Sequence, residues 1–323
     1  MKRKNNLYNN MCSIKNIEEA FNEVCRNTRN KRKVELFKEY KCTYISRIYN
    51  ILENREYKTG KYNIFTIYEP KRRTIVSQNM QDKVINHLVT RQILYPAILP
   101  CLINENVASR ENMGTRKGLE YYYKYIRNCK IQYEKYYILK CDISKYFASI
   151  DHEILKTKVR KKIKDKEALK IVEDIIDSYE AGLGIGNMTS QCLAIFYLND
   201  MDHYIKEELK IKYYVRYQDD FLLFHQSKEY LQECLQKIKV FLKKEKLKLN
   251  PKTKIYSNKN NFIFLGRKKN NNYANYRRIK GKIKKKYYLY KTGRVNLNSF
   301  IASINSFYSL DREFTEKCIQ KLK

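Results

Sequence analysis

The chain has 323 residues, 67 Lys and Arg against 34 Asp and Glu, and a formal net charge of +33; that length gives one large or two modest domains with a sizeable core. Nine Cys without a Cys-x-x-Cys pair or a His at metal-like spacing argue against structural zinc and a disulfide framework, and free thiols fit a reducing cytoplasm. No apolar run of about 18 residues exists, and none follows the basic start Met1-Lys-Arg-Lys, so no membrane span is expected, whereas the positive excess points to a polyanionic partner, nucleic acid first.

The first 60 residues read as helical and basic. Apolar spacing runs from Ile14 to Cys25, and Val34, Leu36, Phe37, Tyr40 and Tyr44 continue one face toward Ile48. This is an N-terminal helical extension (1–60) with no chemistry of its own. The period then changes. Tyr62-Asn-Ile-Phe-Thr-Ile-Tyr68 and Thr74-Ile-Val76 are β-prone runs on either side of Glu69-Pro70 and the cations Lys71, Arg72 and Arg73. Three cations on a hairpin tip suit either a solvated turn or a clamp on a triphosphate, for which Lys and Arg are well shaped. Gln81 to Leu94 reads as a helix with Val84, Ile85, Leu88 and Val89 inward, stopped near Pro96 and Pro100. Ser109 to Gly118 is a loop with two glycines, lacking the strand–GxxxxGK[ST]–helix order of a phosphate-binding loop. Another helix begins over Tyr121 to Ile126.

Tyr137 to Cys141 reads as a buried strand that ends in Asp142. A carboxylate closing a hydrophobic strand is costly to bury without a partner, which calls for a metal or another cation beside it. Asp151 stands at a helix N-cap, and 153–180 forms an amphipathic helical hairpin with Ile154, Val159, Ile163, Leu169, Val172 and Ile176 inward. Gly182-Leu-Gly-Ile-Gly-Asn-Met-Thr-Ser-Gln191 then feeds an apolar helix running to about Leu209. Its glycines let backbone approach another group closely, and the free N–H groups of the helix start favour phosphate.

Tyr213-Tyr-Val-Arg-Tyr-Gln-Asp-Asp-Phe-Leu-Leu-Phe224 reads as a hairpin whose tip holds Asp219 and Asp220. Adjacent carboxylates repel unless a cation sits between them; the plain alternative is a solvated Asp-Asp turn. A long helix follows from Lys228 to Lys246, then short strands over Lys246–Lys254 and Phe262–Gly266. Arg267 to Arg294 carries twelve Lys and Arg and no acid, a polyanion-binding face, and Leu297 to Leu322 is helical. The 30 Tyr and 13 Phe interleave with cations in Tyr121–Tyr125 and Lys286–Lys291. That pattern suits base stacking beside phosphates, or ordinary core packing.

Four pieces thus stand in a fixed order: Asp142-Ile-Ser-Lys-Tyr-Phe147 after a strand, Gly184-Ile-Gly-Asn-Met-Thr-Ser-Gln191 before a helix, Tyr217-Gln-Asp-Asp220 on a hairpin, and Leu247–Thr253 with Phe264-Leu-Gly266. That order, over about residues 60 to 290, resembles the reverse transcriptase family. The resemblance implies an α+β right-hand polymerase: fingers over 61–140, a palm with an antiparallel sheet over 141–272 including the insertion 153–180, and a small helical thumb over 273–323. It implies RNA-directed DNA synthesis with two Mg²⁺ ions (Mn²⁺ as a possible substitute), held by Asp142, Asp219, Asp220 and the Ile143 carbonyl. Such chemistry activates a 3′-hydroxyl and stabilises the pyrophosphate leaving group, and a hard cation prefers carboxylate and phosphate oxygen.

By the same resemblance Lys71 and Arg73 meet the dNTP triphosphate, Phe147 excludes a 2′-hydroxyl, and Lys252 donates a proton to pyrophosphate. Ile185, Gly186 and Gln191 complete the nucleotide pocket. Many family members carry Gln-Gly-x-x-x-Ser-Pro where this chain has Ile185-Gly-Asn-Met-Thr-Ser-Gln191. The aliphatic form resembles diversity-generating retroelement enzymes, and is shared by unclassified and antiviral-defence reverse transcriptases. In the diversity-generating group it accompanies misincorporation opposite adenine. Arg277, Arg278, Lys280, Lys282, Lys284, Lys285 and Lys286 are the expected nucleic-acid contacts. The expected partners are a dedicated template or non-coding RNA, its cDNA and dNTPs, with an accessory protein or a second copy completing a short thumb. No maturase, endonuclease or RNase H region is read in the chain. The alternatives are a defence enzyme using a non-coding RNA, and a non-catalytic RNA-binding protein on a polymerase-like fold.

Overall fold

The computed structural model describes residues 3–67, 72–268, 276–308 and 312–320. Its contacts divide the chain into two compact units, Met1–Lys259 and Asn260–Lys323. The class is α+β, helices with small antiparallel sheets.

In the first unit, four short helices open the chain: Leu7–Met11, Ile14–Asn27, Lys31–Glu39 and Lys41–Glu53. Ser13 caps the second by accepting from the Asn16 N–H at 3.2 Å. Ile17, Phe21 and Val24 lie on one face of that helix and are buried, and Phe21 stacks on Phe37 at 4.4 Å. These side chains share one core with Leu139 and Leu223 of the central sheet.

Strands β1 (Asn63–Ile67) and β2 (Arg73–Ser77) pair antiparallel, Asn63 opposite Ser77 and Ile67 opposite Arg73. Helix Met80–Leu88 follows, capped by Asn79. Of the stop expected near Pro96 and Pro100, the path passes the first proline and ends at the second. The helical path widens over Val89–Leu94, where the Tyr95 N–H reaches back to the Thr90 carbonyl, and carries Pro96 into Tyr95–Ile98; the path ends in a tight turn at Leu99–Cys101. The helix expected from Tyr121 starts at Thr115 and runs to Gln132.

The central sheet has four antiparallel strands in the order β4-β5-β3-β6. They are β3 (Tyr137–Cys141), β4 (Tyr213–Tyr217), β5 (Asp220–His225) and β6 (Lys254–Ser257). Leu139 faces Leu223 on one side and Ile255 on the other. Phe221 and Leu223 enter the main core, while Phe224 meets Tyr122 and Tyr125 of Thr115–Gln132 at 6.4 and 5.9 Å. Helix Lys228–Lys244 also lies against β3, β5 and β6. Cover on both faces explains why β4 and β5 read as nearly continuous apolar runs.

The strand expected over Lys246–Lys254 begins only at Lys254. Before it, Thr253 N–H donates to the Asn250 carbonyl at 2.9 Å and Lys252 N–H to the Asn250 side chain at 3.0 Å. This Asx turn around Pro251 uses the backbone that a strand would need. The insertion is a helical pair, His152–Arg160 capped by Asp151 and Lys166–Asp177 capped by Asp165. The apolar helix after the glycine-rich loop is interrupted at Leu198, giving Met188–Tyr197, Asn199–His203 and a wider turn to Glu208.

In the second unit, β7 (Ile263–Phe264) and β8 (Arg267–Lys268) form a hairpin through Leu265 and Gly266, both at positive φ. The expected strand Phe262–Gly266 therefore ends early. Helices Tyr276–Lys291, Leu297–Tyr308 and Arg312–Gln320 gather around Ile283, Phe300, Ile304 and Phe307. The expected terminal helix is thus two helices.

Candidate active site

The hairpin β4–β5 turns in two residues, Gln218 and Asp219, with Tyr217 opposite Asp220. Gln218 sits at φ 55, left-handed backbone that costs about 1–3 kcal/mol in a residue other than glycine. Its surroundings hold it there. The Gln218 carbonyl accepts from Arg216 at 2.8 Å, and its side-chain amide donates to Ser109 Oγ at 2.9 Å. Arg216 is fully buried and forms a two-pronged ion pair with Asp202 at 2.7 and 2.5 Å. Tyr214 donates to the same carboxylate at 2.6 Å. Arg216 N–H and carbonyl also bond Glu105 and Val107, which adds that segment to the edge of β4.

On the neighbouring strand, Asp142 follows Cys141 where β3 meets the Asn250 turn. The Asn250 N–H donates to the Asp142 carbonyl at 2.7 Å and its side chain to Asp142 Oδ2 at 2.9 Å. Ser144 N–H bonds the Lys248 carbonyl at 2.9 Å. Ile143 stands opposite Leu249 between these bonds. The Asp142 and Asp219 carboxyl groups meet at hydrogen-bonding range. Burial, then repulsion from Asp142 and Asp220, pushes Asp219 up to about 6. Asp220 is turned to a different partner: Lys140 of β3 holds both its oxygens at 3.1 and 3.0 Å.

These residues fit a hard divalent cation in part. Asp142 and Asp219 supply oxygen donors, and the raised Asp219 marks a site short of positive charge. Asp220, whose charge also raises Asp219, is held by Lys140, and among the described residues no group of three or more His, Cys, Asp or Glu is arranged to hold a metal.

The glycine-rich loop lies between β2 and the turn after Asp142. Val76 N–H donates to the Ile185 carbonyl at 3.1 Å, and Leu183 N–H to the Phe147 carbonyl at 2.8 Å. Gly182, at φ +62, is required: a Cβ there would stand 2.3 Å from the Phe147 carbonyl oxygen and 2.6 Å from Ala148 Cα. Gly186, at φ +122, faces Ile75. Ile185 and Gly186 thus adjoin the strand that Arg73 opens. Gln191 is exposed and accepts from Ser109 Oγ at 3.3 Å. Phe147 is half-buried with its ring edge-on to Tyr146 at 5.8 Å. Lys252 is exposed on the turn whose Asn250 bonds Asp142.

Lys71 lies outside the described residues. The side chains of Arg277 and Arg278 do too, although their backbone is part of Tyr276–Lys291. On that helix Lys280, Lys284 and Lys285 are exposed, Lys282 and Lys286 half-exposed, and Ile283 points inward.

Sequence reading missed Lys140, Ser109, Arg216 with Asp202, and Asn250. Lys140 sits two residues before Asp142, so strand alternation alone puts both on one face. Asn250-Pro251 is a turn signal that the apolar spacing of Leu247 and Leu249 concealed. Nothing local marks Ser109 or Asp202, whose partners are distant in the chain.

A family model described as "Reverse transcriptase (RNA-dependent DNA polymerase)" matches residues 58–268. No match is found among curated protein sequences. Among solved structures, apo telomerase from Candida tropicalis, truncated from its C-terminal domain, superposes with a TM-score of 0.52 at 14% identity. The similarity covers 73% of this chain and 58% of the telomerase chain. At that identity the likeness is one of fold.

Proposed function

The chain belongs to the reverse transcriptase family, and on that premise we propose that it is an RNA-directed DNA polymerase using dNTPs and a divalent cation, Mg²⁺ first. The observation that carries this is the meeting of Asp142, just past the end of β3, and Asp219, in the β4–β5 turn, with Asp219 raised to about 6 by burial and like charge. Two acids held together at such a cost are what a cation site needs and what a solvated turn does not. Asp142 and Asp219 would hold the metal, with the Ile143 carbonyl beside them and Asp220 recruited from Lys140. The metal, when bound, makes a 3′-hydroxyl more acidic and stabilises charge on the leaving pyrophosphate.

The chain's own residues do the rest. Asn250 fixes the Asp142 carboxylate, and Arg216 with Ser109 fixes the turn that presents Asp219. Ile185, Gly186 and Gln191 form one wall of the nucleotide site beside β2, with Arg73 and Lys71 on the phosphates. Phe147 closes the sugar edge against a 2′-hydroxyl, and Lys252 protonates pyrophosphate. Residues 61–140 act as fingers, 141–272 as palm and 273–323 as thumb, with the 277–286 cations on nucleic acid. A dedicated RNA as template, and an accessory protein or second copy, complete the assembly, and the enzyme works in the cytoplasm.

For the biological role, the diversity-generating type is supported by Ile185. Its side chain has no amide to hydrogen-bond near the incoming sugar and base, so pairing geometry is policed less tightly. On a defined RNA template, wild type should misincorporate opposite adenine and Ile185→Gln should do so less. Equal, low error in both removes the diversity-generating reading and leaves the defence role. Undiminished biological function in a variant lacking Asp142 and Asp219 removes the polymerase reading altogether.

A further inference from the structure

One cationic cluster of the first unit has no place in the polymerase mechanism. Lys4 forms an isolated bridge with Ile163: its N–H donates to the Lys162 carbonyl at 2.9 Å, and Lys164 N–H donates to its carbonyl at 2.7 Å. The bridge sets Arg3 and Lys4 beside the turn that joins His152–Arg160 to Lys166–Asp177. Five cations from two distant segments therefore converge: Arg3, Lys4, Lys161 and Lys164, all exposed, and Lys162, half-exposed.

The nearby acids are committed elsewhere. Asp165 accepts from the Tyr8 and Ala168 N–H groups, each at 3.0 Å, and Glu167 pairs with Arg55 at 3.5 Å. Glu173 holds Arg160, and Asp200 and Glu245 hold Lys158, with Glu245 also within the field of Lys161. None of the five cations forms an ion pair among the described residues. Like charges brought together by the fold repel, and the arrangement becomes favourable when a polyanion replaces their counterions.

We propose that this cluster is a docking surface for the phosphate backbone of RNA, separate from the catalytic centre, and that it anchors the template RNA away from the point of synthesis. It stands at the far end of the helix His152–Arg160 from its cap Asp151, about 13 Å along the axis at 1.5 Å per residue, and none of its cations is among the groups that shift Asp219. Charge complementarity selects the occupant. Cations presented as point charges read phosphate rather than base edges, so the contact is independent of sequence. The inference rests on the polymerase reading only for choosing RNA among polyanions, and its test measures binding, not synthesis.

The test compares the full chain with its R3Q/K4Q/K161Q/K162Q/K164Q variant by fluorescence anisotropy over a KCl series. The probes are an RNA of about 60 nucleotides and a fluorescent dNTP with Mg²⁺, which can occupy the nucleotide site alone. On the long RNA the variant should bind about tenfold more weakly near 150 mM salt. Its log K against log salt should be shallower by about two to three, at about 0.7 for each phosphate no longer neutralised. Affinity for the dNTP should not change. Unchanged affinity and slope on the long RNA overturn the proposal. An equal loss on both probes overturns it as well, since the cations would then act only through the general field. Loss of binding to phosphatidylserine vesicles with RNA binding intact assigns the surface to a membrane instead. Should the fivefold variant melt early, Lys161→Glu and Lys164→Glu singly are read by the same criteria.

Discussion

Arg216 and Asp202 form an ion pair that is fully buried on both sides, and the same guanidinium donates to the Gln218 carbonyl at the turn presenting Asp219. The pair therefore fixes the position of a carboxylate that it does not touch. Removing one member leaves a buried charge without its partner, at a cost of about 3–5 kcal/mol. Arg216→Met should lower the melting temperature accordingly and weaken cation binding at the hairpin. Arg216→Lys keeps the charge but loses the fork, so it should recover part of the stability and little of the activity. Thermal melting beside primer extension separates the two effects.

The carboxylate at that turn should trade stability for function. Asp219 is raised from 3.8 to about 6, so the folded chain binds its proton more tightly than the unfolded chain. In chelator, this group's contribution favours folding below about pH 4 and fades as pH rises through about 6. Asp219→Asn should flatten that window and stabilise the cation-free protein by up to about 3 kcal/mol near neutral pH, while slowing synthesis at least about a hundredfold. Added Mg²⁺ should raise the melting temperature of wild type and not of the variant. A melting curve over pH with and without EDTA checks both signs.

Ser109 links two loops through one hydroxyl: it accepts from the Gln218 amide and donates to Gln191. Ser109→Ala should cost only about 1 kcal/mol of stability, the net worth of such bonds. The larger effect should be a raised KM for dNTP with kcat less affected, because Gln191 loses its orientation. Single-nucleotide insertion kinetics read the split directly.

Gly182→Ala and Gly293→Ala should differ sharply. Both glycines have positive φ, at +62 and +68, but only Gly182 has backbone within 4 Å of the missing Cβ. Gly293→Ala should cost about 1–2 kcal/mol from conformation alone. At Gly182 the new methyl must also push the loop off the Phe147–Ala148 peptide, so the loss should be greater and dNTP binding should weaken. Denaturant midpoints of the two variants provide the comparison.

These residues also indicate how much was legible in the chain itself. The hairpin 213–224, strand Tyr137–Cys141 and the glycine-rich loop could be read because apolar periodicity and turn chemistry agree there. Asp142 and Asp219 could be paired in advance only by resemblance; their contact depends on the β3–β5 register, which no local pattern encodes. Lys140, Ser109 and Asp202 act through partners far along the chain and are individually unremarkable polar residues. The misread Lys246–Lys254 strand shows the opposite failure. Alternating Leu247 and Leu249 carried the strand signal, and Asn250-Pro251 overrode it.

The most direct measurement is primer extension on an RNA template with dNTPs and Mg²⁺, comparing wild type with Asp219→Asn under conditions where both are folded. Wild type should extend the primer only with the divalent cation present, and the variant should be slower by about a hundredfold or more, roughly 2.7 kcal/mol or more in barrier. Extension by the variant at the wild-type rate, or none by wild type under any divalent cation with its co-purified RNA, would contradict the assignment of Asp142 and Asp219 as the centre of an RNA-directed DNA polymerase.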